Sequence, residues 1–204
     1  MMNPLGTVDY EISKIIIEKD YSVLDLGANI GLTALYYLEA GAARVTAIEP
    51  NIENYQRLKS INDARLISIN KAVSDVAGEV ELYISSTHNQ GHSINPIWEL
   101  EFPNVFTSGQ KVNVQCDTLD NLFKNEIFDF IKIDVEGAEN KVLKGGEAFF
   151  ERHKNSIIQI EIYDKYFNEV NTHLKSIFIN VIACARTRKM RFICIILIKK
   201  YLRI

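Results

Sequence analysis

An acidic residue and a pair of glycines follow the first apolar run of the chain. In the stretch VLDLGANIGLT, Asp25 stands two positions before Gly27, and Asn29 and Gly31 follow. Glycine permits positive φ and lets a ligand approach the backbone closely. Glu49 ends the next apolar run, RVTAIE. A carboxylate at the end of a second strand can accept hydrogen bonds from both hydroxyls of a ribose, so the pattern predicts a nucleoside site.

The same loop discriminates between nucleotide cofactors. A dinucleotide site is typically GxGxxG, with the pyrophosphate at a helix N-terminus. Here the spacing is GxxxG, and Asn29 carries a side chain where the middle glycine would be. The carboxylate of Asp25 repels pyrophosphate but attracts an ammonium group. We therefore expect S-adenosylmethionine, which has a ribose and positive charge but no phosphate, and we disfavour an NAD oxidoreductase.

A second acidic pair, Asp134 and Glu136, ends the apolar run FDFIKID. Residues i and i+2 of an extended segment face the same side, so both carboxylates are expected to reach one acceptor. We predict that Asp134 is a general base or acceptor-orienting group and that Glu136 is its partner. In the alternative, they cap the following helix or bind the amino group of the ligand. Lys132 lies on the same face and is expected to pair with an acid.

Two further chemistries are weaker alternatives. His88 or His92, in the segment STHNQGHSI, offers another base, although exposed loop histidines are more common. Asp134, Glu136 and Glu161 all end predicted strands, and oxygen ligands suit Mg²⁺. Three acids at a ligand-binding edge are more often not a metal cage, so we predict no metal.

The order of elements explains how these residues meet. Apolar runs and amphipathic segments alternate five times, which predicts a mostly parallel sheet with helices on both faces. Ligands bind beyond the carboxyl ends of the strands in such sheets. The predicted strands that end at candidate residues are 22–26, 44–49, 65–70, 128–134 and 156–163, and the helices are 8–18, 32–42, 52–62, 138–152 and 164–177.

Three segments stand outside this alternation. Residues 71–85 alternate in polarity and are predicted to form a hairpin that turns at Ala77–Gly78. Residues 86–110 are predicted to be a long loop or lid, in which Trp98 and Phe102 either cover an acceptor or anchor the loop. The basic tail at 179–204 is predicted to close the sheet with an antiparallel hairpin.

Composition limits the class of protein. The chain has 204 residues, 47% of them hydrophobic, which suits one domain over 1–204. The three cysteines are scattered, so we expect reduced packing residues in a cytoplasmic protein. The start does not have the pattern of a signal peptide. The apolar run FICIILI is far shorter than the ~20 residues that span a bilayer.

Charge is unevenly distributed. Seven of the 23 Lys and Arg residues lie in 186–204, which has no acid, so the rest of the chain has 16 basic and 26 acidic residues. An acidic body argues against a nucleic-acid partner, because such binding depends on neutralising phosphates. The basic tail is interpreted as an edge strand with charged ends, with contact to an anionic membrane surface as the weaker alternative. The oligomeric state is left open.

Six motifs resemble the FkbM-type class I methyltransferases, which depend on S-adenosylmethionine. They are VLDLGANIG, AIEPN, INKAVSD and FIKIDVEGAENKVLKGG, with CDTLDNLF and IQIEIY also similar, and they span about residues 8–180. The resemblance implies a Rossmann-like sheet of seven strands with one antiparallel strand. It implies cofactor contacts from Asp25, Gly27, Ala28, Asn29 and Gly31 around the methionine part, Glu49 at the ribose with Pro50 and Asn51 beside it, and Ala72 and Val73 near adenine.

The resemblance also implies the reaction, O-methylation of a hydroxyl on a sugar, glycan or small metabolite. A relative that binds the cofactor but transfers nothing is one alternative. N-methylation of a small amine is another, while the absence of any Pro-Pro in the sequence disfavours methylation of nucleic-acid bases. The tail after about residue 180 does not match the ending of the family.

Overall fold

The computed structural model describes residues 8–87, 91–178, 183–186 and 191–196. In chain order the strands are β1 Ser22–Leu26, β2 Arg44–Ile48, β3 Leu66–Ile69, β4 Ala72–Val73, β5 Gly78–Tyr83, β6 Lys111–Asp117, β7 Phe130–Ile133, β8 Ile157–Tyr163, β9 Ala183–Arg186 and β10 Arg191–Ile196. The helices are α1 Val8–Ile16, α2 Leu32–Ala40, α3 Ile52–Lys59, α4 Trp98–Glu101, α5 Leu119–Leu122, α6 Glu139–Lys144, α7 Glu147–Arg152 and α8 Phe167–Ile177.

The main sheet has seven strands in the order β3-β2-β1-β7-β8-β10-β9. All neighbouring strands from β3 to β8 run parallel, and β10 is antiparallel to both β8 and β9. This confirms the predicted mostly parallel sheet and its terminal antiparallel hairpin. The order reverses at β1, so the carboxyl ends of β1, β2 and β7 form the crevice where such sheets bind ligands.

Alternate residues of the central strands supply two cores. Leu24, Ile131 and Ile160 pack with the helices α5 to α8 on one face. Val23 and Phe130 pack with α2 and α3 on the other. Strands buried on both faces are apolar almost throughout, which explains why these runs are readable from the sequence.

The predicted hairpin over 71–85 is wrong. β4 and β5 do not pair with each other; both pair with β6, in parallel and antiparallel fashion respectively, and form a separate three-stranded sheet. Alternating polarity predicts strands but not their partners, and β6 is a partner more distant in sequence. This second sheet carries Ala72 and Val73 to the edge of the crevice.

The described residues of the predicted loop at 86–110 include regular structure. It contains the short helix α4, whose Trp98 is 2% exposed and packs against Phe102, Tyr163 and Tyr166. The two alternatives for Trp98 are therefore resolved in favour of an anchor. His88 lies outside the described residues.

The cysteine interpretation is corrected in part. Cys116 is a free buried thiol, whereas Cys194 in β10 is disulfide-bonded. No helix in the described part of the chain is both long and apolar enough to cross a membrane.

Gly137 leaves room for the ring of Trp98, and its substitution is a first testable prediction. Gly137 has φ +88°, and a Cβ there would lie 2.4 Å from the ring of Trp98. We expect Gly137→Ala to lower the free energy of unfolding by about 2–5 kcal/mol, because left-handed strain and overpacking add. Urea denaturation measures the loss. Gly109→Ala is the control: φ is +59°, but the nearest atom is 3.5 Å away, so only the strain applies. Equal losses in both variants would contradict the packing argument.

Candidate active site

A cleft opens over the carboxyl ends of β1, β2 and β7. It brings together most of the predicted residues. Its lining comprises Gly27, Asn29, Ile48, Glu49, Pro50, Asn54, Lys71, Ala72, Val73, Leu82, His92, Ile94, Asp134, Val135 and Glu136. Asp25, Ala28, Gly31 and Asn51 were also predicted, but they lie behind this wall or beside it.

The glycine of the first loop is required by a close approach. A Cβ on Gly27, which has φ +83°, would lie 1.9 Å from the carbonyl oxygen of Asp134. The amides of Gly27 and Ala28 both donate to the carbonyl of Ile48 at 3.0 Å. The loop is therefore held between the tips of β2 and β7, and its backbone forms part of the cleft wall.

Glu49 connects the first two loops. Its Oε2 accepts from the amide of Asn29 at 2.9 Å, and its Oε1 accepts from the amide of Asn51 at 2.8 Å. Burial raises the pKa of Glu49 to about 7, against these hydrogen bonds, which lower it. The side chain of Asn54 also donates to this carboxyl group. A carboxylate oxygen can accept more than one hydrogen bond, so Glu49 can in addition receive a ligand hydroxyl.

Asp25 does not line the cleft. It is fully buried on the side of the sheet that α1 and α2 cover. On that side it lies beside Lys132 of β7, which in turn lies beside Gln159 of β8. Its Oδ2 accepts from the hydroxyl of Thr33 at 2.7 Å, and Oδ1 has no hydrogen-bond partner among the described residues. Burial raises the pKa of Asp25 to about 6. Asp25 thus supports the loop from behind, and its contact with the methionine part of a ligand stays a prediction.

Lys132 pairs with acids, as predicted. Its Nζ lies 2.9 Å from Oδ2 of Asp134 and 3.7 Å from Oε1 of Glu161. Burial alone would lower the pKa of Lys132, but the carboxylates around it, that of Asp134 first, hold it well above its ordinary value. The ammonium fixes Asp134 at the tip of β7, where it faces the cleft.

Glu136 reaches the cleft by a different route from the one predicted. β7 ends at Ile133, and Glu136 has φ +52°, so the segment is not extended and the i, i+2 argument fails. The carbonyl of Glu136 accepts from Ser93 Oγ at 2.5 Å, and its Oε2 accepts from Tyr163 at 2.6 Å. Residues held in this backbone region cluster at functional sites.

The sequence reasoning missed several residues at this site. Asn54 and Lys71 line the cleft and were not considered; His92, which was considered as a base, lines it as well. Ser85 donates its amide to Nδ1 of His92 at 3.0 Å. Asn51 caps α3, where its side chain accepts from the amides of Glu53 and Asn54.

Glu139 was also missed. It is 1% exposed, its Oε1 accepts from the amide of Gly137 at 3.0 Å, and its Oε2 lacks a hydrogen-bond partner within the described residues. Burial raises the pKa of Glu139 to about 8. The carboxyl is therefore neutral in the folded protein over much of the pH range in which it ionises when unfolded.

This difference predicts a pH dependence of stability. The unfolded chain releases the proton of Glu139 at its ordinary pKa, whereas the folded chain keeps it to about 8, so the free energy of unfolding falls between those values. We expect Glu139→Gln to flatten this fall by up to ~1.4 kcal/mol per pH unit. Urea denaturation at pH 5, 6, 7 and 8 measures the slopes. The exposed Glu147→Gln is the control; parallel curves for wild type and Glu139→Gln would contradict the assignment.

The charge of the cleft restricts its ligand. Three carboxylates line it, those of Glu49, Asp134 and Glu136, while the ammonium of Lys71 is already 2.8 Å from Asp117. Such a lining disfavours pyrophosphate and favours a positively charged ligand. In the described ranges, no three potential ligands are grouped to hold a metal ion, and Asp134, Glu136 and Glu161 form no such group.

The sheet order, the antiparallel β10 and the acid-lined cleft over the strand tips define a Rossmann-like α/β protein with the class I methyltransferase fold. A model of the methyltransferase FkbM domain matches residues 25–184. The chain therefore belongs to the FkbM methyltransferase family. A search of curated proteins found no match.

Several solved structures share the fold. Methyltransferase FkbM from Methylobacillus flagellatus has a TM-score of 0.63 and 19% identity over 91% of this chain, which spans about half of that protein (47%). A putative rRNA-methylase from Clostridium thermocellum has a TM-score of 0.55 and 12% identity, covering 98% of both chains. A TehB-like SAM-dependent methyltransferase from Corynebacterium glutamicum has a TM-score of 0.53 and 9% identity, covering 96% and 90%.

Proposed function

We propose that this chain is an S-adenosylmethionine-dependent methyltransferase that methylates a hydroxyl of a sugar, glycan or small metabolite. The observation that carries the proposal is the acid-lined cleft over β1, β2 and β7. Glu49 would hold the ribose, and the backbone at Gly27 and Asn29 would lie along the methionine part. Ala72 and Val73, with the apolar side chains beside them, would flank adenine.

The bound cofactor would supply an activated methyl group on a sulfonium. An acceptor oxygen that takes this methyl group from the sulfonium would have to give up its proton, so the chain would have to supply a base. Asp134 is our candidate for that base, since it faces the cleft and its ionised form is favoured by the ammonium of Lys132. Glu136 would receive or orient the same hydroxyl. A positioned base typically adds ~10²–10⁴-fold to the rate.

Two measurements test this function. Calorimetry with S-adenosylhomocysteine tests the cofactor site, and we expect one site per chain. Transfer of a radioactive methyl group from S-adenosylmethionine to panels of saccharides, hydroxylated metabolites and amines tests the reaction. Binding without transfer would indicate the inactive relative, and transfer only to amines would indicate N-methylation. No binding would overturn the proposal.

The exclusion of nucleic-acid acceptors stays a prediction. One protein of similar fold is described as an rRNA-methylase, so the fold itself is compatible with such acceptors. The acidic balance outside residues 186–204 argues against them here. An RNA arm in the acceptor panel tests the point directly.

A further inference from the structure

Tyr163 ends β8, the strand beside β7, and its phenol reaches across to the candidate cleft. The hydroxyl donates to Oε2 of Glu136 at 2.6 Å. We propose that Tyr163 is a positioning residue, which holds the carboxylate of Glu136 in the direction needed to receive the acceptor hydroxyl. This inference rests on the proposed function, in which Glu136 faces the acceptor.

Three contacts fix the backbone around Glu136. Ser93 Oγ donates to the carbonyl of Glu136 at 2.5 Å, and Glu139 accepts from the next amide at 3.0 Å. Trp98 packs over Gly137. These contacts hold the left-handed conformation. They do not set the side-chain torsions of a glutamate, whose rotamer freedom amounts to ~1.5–2 kcal/mol.

Tyr163 is well suited to orient that carboxylate, because it is itself rigid. Its ring meets Trp98 edge-on at 4.6 Å and 86°, and Phe102 lies 5.6 Å away. Such edge-to-face pairs are favourable arrangements for aromatic rings. A phenol packed in this way has little freedom to move its hydroxyl. The hydrogen bond therefore holds the carboxylate of Glu136 at a defined position relative to the aromatic rings around Trp98.

Tyr166 provides a matched comparison within the same cluster. Its ring stacks 6.2 Å from Trp98. Its hydroxyl donates to Glu101 at 2.8 Å and accepts from Asn95 at 3.2 Å, so it serves the anchored segment rather than Glu136. Tyr163→Phe and Tyr166→Phe each remove one partly buried hydroxyl from the cluster around Trp98, but only the first removes a hydrogen bond to Glu136.

An acceptor-independent measurement tests the contact. The carboxyl carbon of Glu136 is followed by NMR against pH in protein with ¹³C-labelled glutamate, and the signal is assigned with Glu136→Gln. We expect Tyr163→Phe to raise the titration midpoint of Glu136 by about one pH unit, since a donated hydrogen bond favours the carboxylate. Tyr166→Phe should leave it unchanged. The titratable groups around Glu136, namely Asp134, Glu139, Lys132 and His92, are the same in all these proteins.

Kinetics test the consequence for the reaction. With an acceptor found in the panels, we expect Tyr163→Phe to lower kcat about 10- to 100-fold, because a misplaced group slows transfer. The KM for S-adenosylmethionine should change little, and Tyr166→Phe should retain near wild-type kcat. An unchanged midpoint for Glu136, or equal loss of kcat in both variants, would overturn the inference. If the proposed function is wrong, S-adenosylhomocysteine does not bind to the wild-type protein. The NMR comparison tests the contact between Tyr163 and Glu136 whether or not the cofactor binds.

Discussion

Glu49→Ala should weaken the binding of S-adenosylhomocysteine by more than about tenfold, or ~1.4 kcal/mol. The carboxylate holds the amides of Asn29 and Asn51 at 2.9 and 2.8 Å, so its removal frees both loops of the cleft. It also removes the acceptor proposed for the ribose hydroxyls. Hydrogen bonds to a charged group are each worth ~1.5–3 kcal/mol, so the loss is expected to be large. Isothermal titration calorimetry measures it.

Glu53→Ala is the matched control for this variant. Glu53 is an exposed glutamate in the first turn of α3, close in sequence to Glu49 and outside the cleft lining. Its removal deletes one carboxyl side chain, as in Glu49→Ala, and we expect affinity to change less than about twofold, because exposed charges are screened. Unchanged affinity in Glu49→Ala, or equal losses in the two variants, would remove the ribose assignment.

The residues at the carboxyl ends of strands were the most predictable part of the site. Parallel strands end at one edge of a sheet, so Gly27, Glu49 and Asp134 were expected to meet although they are far apart in sequence. Only the type and order of the elements were needed. Periodicity, length and flanking residues determine those locally.

Asp25 shows where such reasoning ends. A carboxylate near a glycine loop was interpreted as a ligand contact. Its side chain lies on the side of the sheet covered by α1 and α2, where it contacts Thr33 and interacts with the buried Lys132, and a ligand contact there stays untested. Which acid of a strand end faces the crevice depends on packing between elements, and no local pattern contains that information.

Non-local pairing explains the other differences. β4 and β5 alternate as a hairpin would, but β6 lies between them. Glu136 was placed by a strand rule, while its actual conformation depends on Ser93 and Trp98 from the distant 93–98 segment. Tyr163 ends a predicted strand beside β7, so its position at the edge of the crevice could be predicted from the sequence. Its hydrogen bond to Glu136 could not.

Asp134 and Glu136 are therefore held by contacts with different residues, so separate substitutions can test their roles. Asp134 is fixed by the buried ammonium of Lys132, and Glu136 by the phenol of Tyr163. A carboxylate beside an ammonium is held ionised but is a weaker base, whereas a neutral donor perturbs its partner less. Substitution of Asp134 thus tests proton acceptance, and substitution of Tyr163 tests orientation.

Asp134→Asn should lower kcat by about 10²–10⁴-fold, because the amide cannot accept the acceptor proton. The amide oxygen can still accept from Lys132, and Glu161 remains 3.7 Å from that ammonium, so the buried charge keeps a partner. Binding of S-adenosylhomocysteine should therefore largely survive. Methyl transfer under saturating cofactor measures kcat, and calorimetry measures the affinity.

Asp129→Asn is the control for Asp134→Asn, because it makes the same change at the opposite end of the same strand. Asp129 is exposed and accepts from the amide of Ser22 at 2.8 Å, a bond that asparagine can also accept, so kcat should stay near the wild-type value. Normal turnover in Asp134→Asn would contradict its role as base. A loss of cofactor affinity equal to the loss of turnover would instead assign Asp134 to the amino group of the ligand. The two outcomes differ because a base acts only after the cofactor has bound.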